Sequence, residues 1–340
     1  MFAASGFRPA WWLRSAHLQT QFPSLCRRPA ALSLRRERIE LPDGDFLDLD
    51  WNDVESDALI LVLHGLEGSA RSGYAAGVLH ALGQAGLSSV VMNFRGCGGE
   101  PNRLPRSYHS GETGDLEYVV QRLRASAPDA ALGIVGYSLG GNVLLKWLGE
   151  KAEHAGIDAA VAVSVPFNLS LCADRLNRGL SRVYQWYLLQ KLKRSLQRKL
   201  GTMSLPINVH DPRSLGSLRE FDERVTAPLH GFAGAEDYYA RASCGPWLRS
   251  IAVPTLILHA IDDPFMTPAV IPRPDTLSRC VQLELSARGG HVGFVSGRFP
   301  WAPIYWLESR ICEYFHSRFR EACSGRRGCS MRPAPTRGAL

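Results

Sequence analysis

The most regular feature of the chain is a series of short apolar runs, Ala58–Leu63, 87–94 and 131–135, each followed by a Gly-containing turn and a stretch at helical period. Strand-like runs alternating with helix-like ones predict βαβ units and a parallel sheet. Ahead of them, residues 38–41 and 46–51 flank Pro42-Asp43-Gly44-Asp45, a turn signal that predicts a hairpin. A fourth run, 159–165, reads as another buried strand, and the next begins only at Pro254. A simple crossover needs about a dozen residues. The surplus, 166–250, is therefore expected to be a mainly helical cap inserted into the core. Within it Leu189, Leu192, Leu196 and Leu200 recur at spacings of three and four beside basic residues. A strand at 281–285 and a closing helix at 304–319 complete the expected core.

The predicted fold class is thus α/β, a mostly parallel central sheet flanked by helices with a helical cap insertion. The expected organisation is an N-terminal extension packing on the core (1–35), a core formed by 36–165 and 251–322, the cap (166–250), and a disordered tail (323–340). No internal repeat is visible.

Composition narrows the class. Hydrophobic residues make up 45% of the 340 and charged residues 21%, which excludes disordered and fibrous chains. The net charge of +7 comes largely from two places, the acid-free stretch 175–199 and the tail beyond Glu321. That distribution reads as a solvated helix face and a loose tail, and no nucleic-acid partner is expected. The eight cysteines form no C-x-x-C pair and have no histidine partners at zinc spacing, so they are expected to be reduced thiols. The first 22 residues lack a signal-peptide core, and no run approaches the roughly 20 apolar residues of a membrane span. A cytoplasmic location is the expectation.

The chemistry concentrates in Gly136-Tyr137-Ser138-Leu139-Gly140-Gly141-Asn142, between a strand-like run and a helix-like one. Strand, Gly-x-Ser-x-Gly, helix is a nucleophile elbow, in which a strained serine needs small neighbours where the strand reverses into the helix. A serine hydroxyl is a poor nucleophile near neutral pH, so it needs a base, and the base needs an acid that fixes its tautomer. In the order Ser, acid, His, the acid falls in Ala260-Ile261-Asp262-Asp263-Pro264, just past an apolar run. The base falls in Gly289-Gly290-His291-Val292-Gly293. Asp263 is the expected acid, with Asp262 as the alternative. His291 is preferred as base because only it and His316 follow the acid, and His316 lies on the predicted closing helix. An oxyanion pocket would use the backbone N–H groups of Leu139 and of Leu66, in the loop His64-Gly65-Leu66-Glu67-Gly68. His64 itself reads as an organiser of that loop.

Other chemistries fit poorly. Gly96-Cys97-Gly98-Gly99-Glu100-Pro101 carries proline where a dinucleotide fingerprint wants its third glycine, and neither a P-loop nor a His-Glu-x-x-His motif occurs. Cys97, beside Arg95, reads as an ordinary loop cysteine, with a reactive thiol as the alternative.

Taken together, several segments resemble the bacterial YheT-like esterases, relatives of the animal α/β-hydrolase-domain lipases. They are His17-Leu18-Gln19-Thr20, 41–45, 64–69, 94–103, 108–113, the elbow, 262–266 and 291–294. The resemblance spans most of the chain. It implies the α/β-hydrolase fold, a triad of Ser138, Asp263 and His291, carboxylic ester hydrolysis and no cofactor. The expected activity is therefore a serine carboxylesterase, with a small-molecule ester or lipid as substrate and the cap setting the acyl preference. The alternatives are a monoacylglycerol lipase or phospholipase of lipid metabolism that meets a membrane through 182–199 with its leucines in the interface, and a non-catalytic ligand-binding protein of the same fold.

Overall fold

A computed structural model of the chain describes residues 2–27 and 32–325. Nine strands form one sheet: β1 (Phe2–Ala4), β2 (Arg35–Glu40), β3 (Phe46–Asn52), β4 (Ala58–Leu63), β5 (Ser88–Asn93), β6 (Ala131–Tyr137), β7 (Ala159–Val163), β8 (Thr255–Ala260) and β9 (Val281–Ser286). Their order across the sheet is β1-β9-β8-β7-β6-β4-β5-β3-β2. Pairing is parallel from β1 to β5, while β3 runs antiparallel to β5 and to its hairpin partner β2. The apolar runs explain this arrangement. Every residue of β4 is buried, with Leu59, Leu61 and Leu63 in one apolar cluster and Ala58, Ile60 and Val62 in the other. Such a strand has no face that tolerates water, so it belongs in a sheet covered on both sides.

The helices supply the cover. The first cluster includes Leu116, Val119 and Leu123 of α3 (Gly114–Ser126) and Val143 to Leu145 of α4 (Leu139–Lys151), and the opposite one includes Val78, Leu79 and Leu82 of α2 (Gly73–Gln84). Between β7 and β8 stand α5 (Leu169–Leu176), α6 (Ser181–Leu200), α7 (Leu218–Phe221), α8 (Ala227–His230) and α9 (Ala235–Ala242), with a π turn at Asp222–Thr226. These helices have their own apolar cluster, in which Leu189 and Leu196 of α6 are buried against Leu215, Leu218 and Phe221, with Leu192 and Leu200 partly buried beside them. These leucines, which the membrane-lipase alternative would place in a lipid interface, pack inward, as the period of three and four marks a core-facing stripe.

Three further details depart from the sequence reading. Residues 16–26 form a helix, α1 (Ala16–Cys26). Ile304, expected to open the closing helix, lies in a small hairpin of β10 (Val295–Phe299) and β11 (Ala302–Tyr305). The closing helix is α10 (Trp306–Gly325), which continues past the expected boundary at 322. The rest of the expected disordered tail lies outside the described residues.

Candidate active site

Ser138 occupies the turn between β6 and α4 with φ 51° and ψ −116°, a conformation that L-residues avoid. Its N–H donates to Val163 O at 2.8 Å, which ties the turn to β7. The glycines around it are steric necessities. A methyl on Gly136 would stand 2.5 Å from Gly140 O, and one on Gly140 would stand 2.6 Å from the carbonyls of both Leu63 and His64.

His291 and Asp263 meet this serine. Nε2 of His291 lies 3.0 Å from Ser138 Oγ, and Nδ1 lies 2.8 Å from Asp263 Oδ2. A carboxylate only accepts, so Nδ1 carries the proton and Nε2 turns its lone pair to the serine hydroxyl. Asp263 is buried, and its other oxygen accepts from Phe265 N–H at 2.8 Å. The Phe265 ring stacks on the imidazole with centroids 3.9 Å apart and 6° between planes. Asp262 does something different: its Oδ1 accepts from Gly290 N–H at 2.9 Å, so it holds the backbone of the histidine loop and not the ring. His316 lies on α10 and is not among the residues that line the cavity at Ser138.

The histidine loop is strained and held from outside. Val292 and Phe294 have φ of 56° and 45°. Val292 N–H donates to Ser164 Oγ at 3.0 Å, and His291 N–H donates to Thr20 Oγ1 at 2.9 Å. Gln19, fully buried, donates from Nε2 to the carbonyls of Leu13 and Val295, both at 2.9 Å, and accepts from Val295 N–H at 2.7 Å. Backbone contact is equally close, since methyls on Gly290 and Gly293 would fall 2.6 Å from Ala16 O and 2.3 Å from Gln19 O. Helix α1 is thus a buttress of the loop. Gln19, Thr20, Ser164 and Phe265 were absent from the candidates read from the sequence; the first two stood in the His17 to Thr20 motif and Phe265 in the 262–266 segment, with no role attached.

The loop from His64 to Gly68 lies against the elbow, with a methyl on Gly65 placed 3.4 Å from Ser138 Cβ. Two tyrosines brace it: Gly65 N–H donates to Tyr74 OH at 2.7 Å and Glu67 N–H to Tyr108 OH at 2.8 Å. His64 is buried, donating from Nδ1 to Gly65 O and accepting from Phe94 N–H at Nε2. Burial lowers its pKa to about 4, so it stays neutral and shapes the loop. Leu66 and Leu139 border the same cavity as Ser138 and His291. Leu139 opens α4, where the first N–H groups of a helix lack intrahelical partners and the helix dipole favours negative charge.

That cavity has a volume of about 680 Å³. Its far wall is built from the inserted helices, with Leu169, Leu176, Leu192, Leu196 and Phe221 among the lining side chains. Cys97 lies outside this chemistry. Burial pushes its thiol well above the ordinary range, and the Arg95 guanidinium is engaged by Asp43, Asp45 and Asp115. Among the described residues no group of three or more His, Cys, Asp or Glu side chains could hold a metal ion. Nor is any described helix long and apolar enough to cross a membrane.

The model of one protein family, described as the alpha/beta hydrolase fold, matches residues 58–297. The chain belongs to this α/β-hydrolase fold family. Among its relatives, an Escherichia coli (strain K12) protein named "Putative esterase YheT" is 46% identical over 92% of this chain and 93% of its own. "Phospholipase ABHD3" of Mus musculus is 32% identical over 93% of this chain and 77% of its own. Of solved structures, the Pyrococcus furiosus esterase Pf2001 superposes with a TM-score of 0.55 over 84% of this chain and 93% of its own, at 18% identity, a likeness of fold alone. Along the α/β-hydrolase chain the three residues in contact occur as Ser138, Asp263, His291, which is the order in which this fold carries nucleophile, acid and base.

Proposed function

We propose that this chain is a serine hydrolase that cleaves carboxylic esters through an acyl-enzyme. The observation that carries the reading is the continuous hydrogen-bonded series from Ser138 Oγ through His291 to Asp263, at 3.0 and 2.8 Å. Ser138 Oγ attacks the ester carbonyl while His291 Nε2 takes its proton, and the imidazolium returns that proton to the departing alcohol. Asp263 holds the ring in the Nδ1–H tautomer and stabilises the imidazolium. The N–H groups of Leu66 and Leu139 bind the tetrahedral oxyanion, each donor of this kind contributing about 100- to 1,000-fold in rate. Water then repeats the sequence on the acyl-enzyme and frees the acid.

The names of the esterase and phospholipase relatives support an ester substrate. The apolar lining from the inserted helices supports a hydrophobic acyl chain, with those helices acting as the cap. A ligand-binding protein without activity has no use for the tautomer imposed on His291, so the contacts favour catalysis. Cys26, Cys97, Cys172, Cys244, Cys280 and Cys312 are free, as suits a reducing compartment such as the cytoplasm.

The test is hydrolysis of a p-nitrophenyl ester series from short to long acyl chains by the wild type and Ser138→Ala, with fluorophosphonate labelling in parallel. Turnover and labelling by the wild type alone are expected. Absence of both from the wild type would overturn the reading and leave a binding protein.

A further inference from the structure

Four residues that line the cavity at Ser138 are at the same time widely exposed: Leu25 of α1 at 78%, and Val183, Trp186 and Tyr187 of α6 at 59, 63 and 54%. A side chain that faces both a cavity and bulk solvent stands at the rim, so these residues frame the mouth. Leu18, seven residues before Leu25 on α1, and Leu180, just ahead of α6, are also exposed. The two helices are joined where His17 Nδ1 meets Tyr184 OH at 2.9 Å. A contiguous apolar and aromatic collar of this kind is uncommon on a monomer unless something covers it.

Charge identifies what covers it. At 100° per residue, positions 183, 187, 194 and 198 lie on one stripe of α6. The stripe begins as Val183 and Tyr187, inside the collar, and continues as Arg194 and Arg198, with Arg178 and Arg182 exposed at its other end. No acid occurs from 175 to 199. Of the nearby acids, Asp174 pairs with Arg219, while Glu67, which accepts from the hydroxyls of Tyr108 and Ser195, stands beside Lys191, Arg194 and Arg198 and offsets part of their charge. Aromatic side chains beside an excess of cations match the region where acyl chains meet anionic headgroups. We propose that this collar, Leu25, Val183, Trp186 and Tyr187 with Arg182 and Arg194 beside it, docks the mouth of the cavity onto an anionic lipid surface. An ester would then pass from a lipid leaflet to Ser138 without crossing water, and only that consequence rests on the esterase reading.

The experiment is co-sedimentation of the full chain with vesicles of phosphatidylcholine, with and without phosphatidylglycerol, at low and high salt. Wild type and Ser138→Ala should both bind the vesicles containing phosphatidylglycerol and release in high salt. Binding by Ser138→Ala makes the result independent of whether the chain hydrolyses esters. Arg182→Glu combined with Arg194→Glu should weaken binding at least about tenfold, and Trp186→Ala should weaken it by about the same factor. Circular dichroism and Tm report that each variant is folded, and the charge reversals, on exposed side chains, keep the test decisive if Trp186→Ala is not. Failure of the wild type to bind either vesicle at low salt would overturn the proposal and leave the collar as a protein-docking face. Binding by folded charge-reversed variants as tight as wild type would overturn it as well.

Discussion

Removing one hydroxyl from α1 should damage catalysis at a distance from the reacting atoms. Thr20→Val keeps the shape of the side chain but deletes the acceptor of His291 N–H, a contact of 2.9 Å. A part-buried N–H left unpaired costs about 1 to 3 kcal/mol, which the loop can relieve only by moving. The loop has little room to move gently, because its backbone meets α1 at Gly290 and Gly293 and holds positive φ at Val292 and Phe294. Relief therefore shifts the imbalance to the imidazole, where a displacement of about 1 Å costs on the order of 100-fold in rate. Steady-state kinetics on a soluble p-nitrophenyl ester should show kcat down about 10- to 100-fold with KM little changed, and Thr20→Ser, which restores the oxygen, should recover most of it. Gln19→Leu is the harsher form. It strands Leu13 O and Val295 N–H at about 1 to 3 kcal/mol each, Val295 O keeping Ala10 N–H as a donor, so Tm should fall together with kcat. If Thr20→Val keeps its kcat while Tm drops, α1 is a strut for the fold and the positioning argument is wrong.

The two aspartates separate cleanly by experiment: Asp263→Asn should lower kcat by about 10,000-fold because the wrong His291 tautomer faces the serine, whereas Asp262→Asn, whose contacts are to the Gly289 and Gly290 backbone and not to the ring, should cost a small fraction of that. Equal losses would refute the assignment. Acid should destabilise the fold through His64 and His259, both buried and both held near pKa 4 by desolvation, against 6.5 when unfolded. Above pH 6.5 neither state binds a proton; as pH falls below it only the unfolded chain does, so stability drops until the folded pKa is reached. By pH 5 the two together should remove about 4 kcal/mol, read as a falling urea midpoint, and a flat profile between pH 7.5 and 5 would count against their burial as neutral rings.

What could be read in the sequence was whatever a local pattern enforces. The strands around the elbow were legible because β4, β6, β7 and β8 are apolar or small at nearly every position, and strands that must be covered on both faces leave no ambiguity about where they lie. Ser138 was legible because the glycines beside it answer to clashes within a few residues. Helix α1 was not, since Pro23 stands inside it and its apolar positions Leu18, Phe22 and Leu25, though at helical period, are not its buried face, which holds the polar Gln19. It is helical because the histidine loop and the β10–β11 hairpin give its polar groups partners from the far end of the chain. The direction of the α6 leucines was left open between the cap and the membrane alternative for a related reason. A stripe at period 3.6 shows that one face is apolar, and only the presence of Leu215, Leu218 and Phe221 opposite it decides that the face turns inward.

Strain gives the deeper reason why the site needs so large a scaffold. Non-glycine residues with positive φ are Glu67, Ser138, Ala152, Ser164, Val292 and Phe294 among the described residues, and all except Ala152 belong to the elbow, the two loops beside it or the turn after β7. Each such conformation costs about 1 to 3 kcal/mol and persists only where its surroundings over-determine it. Here the surroundings are specific: Val163 O fixes Ser138, Leu258 O and Val292 N–H fix Ser164, and Tyr108 OH fixes Glu67. Two of these partners, Val163 O and Leu258 O, belong to the fully buried strands β7 and β8, while Val292 lies in the histidine loop and Tyr108 in the segment ahead of α3. Slackening the sheet, as a large-to-small change at Val163 or Leu258 would, therefore relaxes the serine and histidine loops toward ordinary backbone angles before it unfolds the domain. Activity is thus more fragile than the fold that carries it.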